Sequence, residues 1–324
     1  MTRLSAVAGV LAAIVGLALV PFGLERYGVF ILTMWLVQTI AAMGLNLTLG
    51  YAGQVSLAQA AFLGIGAYSA ALLTTAGLPW IAGAGLAAVL CFVIGLALGF
   101  PALRVQHHYL AFVTLAFTTL VWLVMRNEEW LTNGTYGVFG IPRPQLLGIP
   151  TSDPVAFFHF VLAVTVLLST VMWWLVRSPW GRAFTALREN PVRAESLGVD
   201  TRRYTLLAFA IGAVYGGLAG ALYAPLVEFI DPNPFNLAAS LSLLLAVVVG
   251  GAGYFAGPFL GAGLAVLLPE WLRIADDWYL LSYALVVMVL LAICPTGLLG
   301  LAHRAWTRLR RQPDRSAGAD AQES

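Results

Sequence analysis

Charge is the first thing this sequence lacks. Only 10% of its 324 residues are Asp, Glu, Lys or Arg, against about a quarter in an ordinary soluble domain. With 60% hydrophobic residues, this excludes a soluble globular protein and leaves a chain embedded in lipid for most of its length. Lysine is missing altogether. All 17 basic residues are arginine, which points to a GC-rich genome and not to a function. Cysteine is nearly missing too. Cys91 and Cys294 both lie in apolar runs and read as small core residues, with no support for a disulfide or a metal site.

Chargeable groups are also lacking where a proton-driven carrier needs them. No Asp, Glu, Lys or Arg falls deep inside an apolar run, and His159 is the one histidine in such a run. Proton-coupled transporters keep carboxylates or histidines in the membrane as relays. Their absence counts against proton coupling, and more weakly against sodium coupling, which can use backbone carbonyls. Intramembrane enzymes lack their parts as well: there is no His-Glu-x-x-His, no Gly-x-Ser-x-Gly and no pair of buried aspartates. His107 and His108 are adjacent, so they face different sides of a helix and read as interfacial. Gly251-Ala-Gly253-Tyr-Phe-Ala256 imitates a dinucleotide fingerprint, but that motif needs a βαβ unit. Flanked by apolar runs and followed by Pro258, it reads as a Gly-rich hairpin between two short helices.

What is present is a series of apolar runs. Helices are expected near 4–22, 29–49, 57–76, 79–100, 109–125, 154–176, 204–224, 238–250, 255–268 and 279–300. The first run follows Arg3 but has no cleavage site after it, so it reads as a span and not a signal peptide. With the N terminus inside, Arg104, the segment 177–203 and the tail with Arg304, Arg308, Arg310, Arg311 and Arg315 all fall inside. Glu128, Glu129, Asp153, Glu228, Asp231, Glu270, Asp276 and Asp277 fall outside. About ten spans with both termini cytoplasmic satisfy the positive-inside rule. The expected fold is an all-α, polytopic transmembrane bundle over 1–302, with a basic and then disordered tail over 303–324. Gly95 and Gly99, Gly212, Gly216 and Gly220, and Gly253, Gly257 and Gly261 repeat at four-residue spacing, which lets helix backbones approach closely. AFLGIG (61–66) and PFLGAG (258–263) are faintly alike, a trace of an internal repeat.

Two segments stand out. Residues 177–203 are unusually well capped for a loop. Ser178-Pro179 and Asn190-Pro191 each place a capping side chain before a proline at the first helical position. The first helix runs to about Glu189, with Trp180, Phe184 and Leu187 as its apolar residues. The second, about two turns long, stops at Gly198, and Asp200 or Thr201 caps the next span. Such a stiff element suits a groove on a cytoplasmic partner; the alternative is a basic loop lying on anionic headgroups. The other segment is GLNLTLGYAGQVSLAQAAFLGIGAY (44–68), which sets Asn46, Gln54, Ser56 and Gln59 inside an apolar stretch. Ser56-x-x-Gln59 fits a capping box opening the third helix, whose N terminus suits an anion. The segment reads as a capped turn at the inner surface. In the alternative reading Asn46, Gln54, Ser56 and Gln59 line a translocation pathway.

Taken together, these segments resemble a known family. GLNLTLGYAGQVSLAQAAFLGIGAYSAALL, YLAFVTLAF with LTNGTYGVFGIP, ALRENPVRAESLGVDTRRYTLLAF and SLLLAVVVGGAGYFAGPFLGA are similar to the LivM-type integral membrane permease subunits of ABC importers for branched-chain amino acids. The resemblance covers nearly the whole chain. It implies a non-enzymatic, multi-pass subunit of the bacterial plasma (inner) membrane, without a cofactor of its own. ATP would be used by two cytoplasmic ATPase subunits. A second, related permease subunit and an extracytoplasmic solute-binding protein complete the implied assembly, with the lipid bilayer around it and no nucleic acid. The resemblance makes 177–203 the element that couples to the ATPase, through Glu189, Asn190, Pro191, Arg193, Ala194, Glu195, Leu197 and Gly198. Many relatives have Ser-Leu-Gly-His where this chain has Ser56-Leu-Ala58-Gln59, so urea, short amides and aromatic acids stand as alternative cargoes. A self-sufficient secondary transporter or channel is the rival class. The loop 126–153 reads as a compact turn series facing outside, where Asn133 and Tyr136 are candidate contacts for the binding protein.

Overall fold

The computed structural model describes residues 3–102, 107–146, 149–151, 153–272, 288–289 and 297–301. Most of the expected span 279–300, the tail 303–324 and Arg104 lie outside the described residues. The helices are α1 (Arg3–Leu19), α2 (Arg26–Leu45), α3 (Gln59–Thr75), α4 (Trp80–Ala102), α5 (His107–Asn127), the short α6 (Glu129–Thr132), α7 (Pro154–Arg177), α8 (Pro179–Glu189), α9 (Pro191–Ser196), α10 (Thr201–Val227), α11 (Leu237–Gly251) and α12 (Gly257–Leu272). Among the described residues, five helical stretches are long and apolar enough to cross a membrane: Arg26–Tyr51, Trp80–Phe100, Tyr109–Asn127, Pro154–Arg177 and Thr201–Val227. The protein is an all-α helical membrane protein. α3 and α11 are shorter because each begins or ends at a break in the helical run.

α10 is the central element, packed against α2, α3 and α4. Its glycines make that packing possible. A β-carbon at Gly212 would sit 2.8 Å from Gly44 O, one at Gly216 2.9 Å from Phe62 Cβ, and one at Gly217 2.6 Å from Cys91 Sγ. At Gly220 it would fall on the carbonyl of Leu63. Backbone therefore meets backbone along α10, as small residues permit in membranes. Gly95 and Gly99 of α4 pack onto the same helix, against Ala210 and Leu206. Cys91 is buried in this contact.

Indole and phenol groups tie the bundle at longer range. Trp35 Nε1 donates to Phe259 O at 2.9 Å, Trp80 Nε1 to Ala221 O at 2.7 Å, and Tyr215 Oη to Leu168 O at 2.8 Å. His159 is held between Val155 O at 2.7 Å and Ala18 O at 3.0 Å. The loop after α5 forms a series of turns, with positive φ at Asn133, Gly134, Gly137 and Gly140. Its strand β1 (Val138–Phe139) pairs antiparallel with β4 (Phe229–Ile230) just after α10, while β2 (Gln145–Leu146) and β3 (Ile149–Pro150) pair with each other. An ion pair of 2.9 Å between Arg143 and Glu228 adds to the first junction. Asn133 spends its amide inside the turn, donating to Gly137 O at 2.8 Å, whereas Tyr136 is exposed.

Gly220→Val would drive a side chain into the Leu63 carbonyl. Overpacking of this kind costs about 1–3 kcal/mol, so a clear drop in thermal unfolding temperature in detergent is expected. Gly85→Ala, with nothing within 4 Å of the added carbon, should unfold as the parent does.

Candidate functional site

α2 does not end in a regular turn. From Asn46 to Tyr51 the helix widens into a π turn, a feature found most often at functional positions. Ala52 N donates to Leu47 O at 3.0 Å and Gln54 N to Thr48 O at 2.8 Å. Asn46 is buried and bridges to the loop between α11 and α12. Its Oδ1 accepts from Gly253 N at 2.9 Å, and its Nδ2 donates to Tyr254 O at 3.0 Å. The approach is so close that a β-carbon at Gly50 would collide with Asn46 Oδ1 and Gly253 N. Gly253 itself has a φ of 86°, a conformation glycine adopts without strain. The segment 251–256 is thus the expected hairpin between two short helices.

Beyond Tyr51 the chain turns back on itself. Gln59 opens α3, and its Nε2 donates to Ala41 O at 2.8 Å and Gly212 O at 3.3 Å. Ala41 lies about 15 Å along the helix from Tyr51. α3 therefore starts beside the middle of α2, and residues 52–58 run back along it.

The expected capping box does not form. Ser56 Oγ accepts from Ala58 N at 3.3 Å, and the Gln59 amide is committed to α2 and α10. Backbone groups just before α3 and in its first turn are met by other helices instead. Leu57 N donates to Thr114 Oγ1 at 2.9 Å, and Ala60 N to Ser240 Oγ at 3.0 Å; Thr118 Oγ1 donates to Leu57 O at 2.6 Å. Ser240 sits in the first turn of α11, whose N-cap Asn236 accepts from Ala239 N at 3.1 Å. Two helix starts lie side by side, with α5 alongside. Of the four residues singled out from sequence, Asn46, Ser56 and Gln59 are buried and hold backbone groups, while Gln54 is half-buried in the returning segment.

The segment 177–203 forms an elbow whose caps are those expected. Ser178 Oγ accepts from Trp180 N at 3.1 Å, Asn190 Oδ1 from Arg193 N at 3.0 Å, and Asp200 Oδ1 from Arg203 N at 3.1 Å. Gly198 closes α9 with a φ of 84°. α8 is bedded on α7 and α10 through Gly181, Ala183, Phe184 and Leu187; the Phe184 ring stands edge-on to Tyr204 at 5.9 Å. α9 is the opposite. Only Ala194 is buried, while Val192 and Leu197 are 75% and 84% exposed. Glu189, Pro191, Arg193, Glu195 and Gly198 are exposed beside them, and Asn190 is half-buried.

One residue that joins the two halves was missed from sequence. Arg188, at the end of α8, donates through Nη1 to Gly50 O of the π turn. Its stem lies against Gly53, and the missing side chain of Gly253 makes room for its guanidinium. The signal was there: Gly181, Phe184 and Arg188 follow helical spacing on one face. Chemically, the junction offers amides, hydroxyls and carbonyls. Among the described residues no group of three His, Cys, Asp or Glu is placed to hold a metal ion. These groups can hold and release backbone; they offer no nucleophile with an adjacent base.

The family model for the branched-chain amino acid transport system permease component matches residues 27–294, a range that contains both the junction and the elbow. The chain belongs to this permease family. The permease is 34% identical over 303 residues to the high-affinity branched-chain amino acid transport system permease protein LivM of Escherichia coli (strain K12), covering 86% of this chain and 71% of that protein. Its identity to the LivM protein of Salmonella typhimurium (strain LT2) is 35% over the same shares. The autoinducer 2 import system permease protein LsrC of Escherichia coli (strain K12 / DH10B) is 25% identical over 269 residues, 81% of this chain and 75% of that one. No solved structure matches.

Ser240→Ala in the permease leaves the Ala60 N–H unpaired in the junction. A loss of about 1–3 kcal/mol is expected, visible as an earlier thermal unfolding transition. Thr119→Ala, whose hydroxyl bonds only within its own helix, should leave the transition in place.

Proposed function

We propose that this chain is the membrane-spanning permease subunit of an ATP-driven ABC importer of the bacterial plasma (inner) membrane, and that it translocates branched-chain amino acids or related small polar solutes by alternating access. Its working partners are two cytoplasmic ATPase subunits, a second permease subunit of related fold and an extracytoplasmic binding protein that delivers the cargo. The chain itself carries no cofactor and catalyses no reaction. About ten spans with both termini cytoplasmic place residues 177–203 on the inner side; 1–302 is the permease domain and 303–324 a cytoplasmic tail.

The observation that carries this reading is the contrast within the elbow. α8 is anchored by buried Phe184 and Leu187, while α9 projects Val192 and Leu197 almost bare. A capped two-turn helix with an apolar tip and a polar rim of Glu189, Arg193 and Glu195 suits a groove on a partner protein. Glu189, Asn190, Pro191, Arg193, Ala194, Glu195, Leu197 and Gly198 form the docking unit, with Ala194 seating α9 and Gly198 setting its end. Cargo passes by the junction, where Asn46, Gln54, Ser56 and Gln59 line the moving region. The LsrC relative, named for autoinducer 2 import, favours a second reading in which the same machinery serves another cargo, such as urea, an amide or an aromatic acid.

The test is uptake by reconstituted vesicles. Leucine accumulation is expected only with the ATPase subunits, the binding protein and ATP all present. Accumulation by the bare chain without nucleotide would instead make it a secondary transporter. Leu197→Asp should lower uptake about tenfold or more, the equivalent of losing about 1.4 kcal/mol of docking energy, while the chain inserts into the membrane normally.

A further inference from the structure

We infer that Arg188 is a positioning residue for transport: a strut that makes the elbow and the two nearby helix breaks move as one body. This rests on the reading of the elbow as the ATPase dock, and it concerns what happens after docking.

Three segments far apart in sequence meet at one point. The end of α8 brings Arg188. The π turn of α2 brings Gly50, whose carbonyl accepts from Arg188 Nη1. The loop between α11 and α12 brings Gly253, whose N–H donates to Asn46 Oδ1 at 2.9 Å. Contacts here leave no slack. A β-carbon at Gly53 would lie 3.1 Å from Arg188 Cγ and 3.2 Å from its Cα and Cβ. One at Gly253 would fall on Arg188 Nη1 and stand 2.9 Å from Gly50 O. Side chains are absent on both glycines where the arginine passes.

Apolar bedding alone would let α8 slide on α7 and α10. A charged donor locked onto a main-chain carbonyl fixes direction as well as distance. The elements it grips are a π turn and a glycine loop, and displacement in proteins is absorbed at element ends and breaks, not within intact helices. α2 ends at the first of these breaks and α12 begins at the second, and the two helices are joined by Trp35 Nε1 to Phe259 O at 2.9 Å. A push on α9 therefore reaches both helices through Arg188.

Uptake and ATP hydrolysis measured together on the full complex in vesicles test the strut. Arg188→Met keeps the stem against Gly53 and removes the donor. The ATPase subunits should co-purify at the parent ratio and still hydrolyse ATP, while solute moved per ATP falls about tenfold, within the usual range of coupling between sites. Arg188→Lys, which keeps one donor, should recover part of the loss. Gly253→Ala leaves Arg188 present but occupies the place of its Nη1, and should lower the same ratio. If Arg188→Met does not fold, Gly253→Ala decides. An unchanged ratio in a folded variant overturns the strut. Loss of the ATPase subunits from Arg188→Met also overturns it, because Arg188 would then be a docking residue. Leu197→Asp separates the two ideas: if that variant keeps both its ATPase subunits and its uptake, the dock itself is wrong, whatever Arg188 does.

Discussion

Within hydrocarbon, a backbone N–H or C=O that loses its helical partner finds no water to replace it. The same constraint holds for backbone buried inside the bundle, and the chain interrupts its helices at 52–58, 228–236 and 252–256. At each interruption a particular side chain takes over. Asn46 holds the loop after α11, Thr114, Thr118 and Ser240 hold the start of α3, and Asn236 caps α11. Polar residues in this greasy chain mark where helices stop. They are the means by which stopping is tolerated.

The interruptions need a frame, and α10 supplies it. It runs unbroken from Thr201 to Val227, through Pro225, and shows glycine to α2, α3 and α4. Close backbone approach gives dense dispersion contact where the hydrophobic effect offers no drive between helices. It also brings carbonyls such as Gly212 O within reach of Gln59, so the same glycines that allow packing supply acceptors for the broken region. The packed core and the helix breaks are thus built from one set of contacts.

Local features were legible in the sequence. The stops and starts of the elbow, Ser178, Asn190, Gly198 and Asp200, are decided by neighbours a few residues away, and the structure has all four. Gly95 with Gly99, and Gly212 with Gly216 and Gly220, were legible for the same reason: four-residue spacing puts them on one face; Gly253 leaves the third line, because it sits with a positive φ in the loop before α12. Ser56-x-x-Gln59 misled because a local pattern lost to tertiary partners. Gln59 gains more from two buried carbonyls on α2 and α10 than from capping its own helix. Nor could the partners themselves be read. Thr114, Thr118 and Ser240 look like ordinary hydroxyls that bond back to their own helix, as Thr114 also does to Leu110. Their pairing with Leu57 and Ala60 depends on which helices are neighbours, and apolar periodicity is too weak in an all-apolar chain to say.

The elbow obeys the opposite logic from the junction. In the junction Asn46, Gln59, Thr114, Thr118 and Ser240 are consumed in holding this chain together. Val192 and Leu197 contribute nothing to its core, yet each exposes apolar surface whose burial is worth about 1.5–3 kcal/mol. A helix of two turns is too short to be stable on its own propensity, and the chain spends a side-chain cap (Asn190), a first-turn proline (Pro191) and a left-handed glycine (Gly198) to hold this one in place. Stability invested in a segment that packs against so little of its own protein is what suits it to the docking proposed for it. In the proposed assembly the caps keep that surface stiff, and the buried face of α8 links it to α7 and α10.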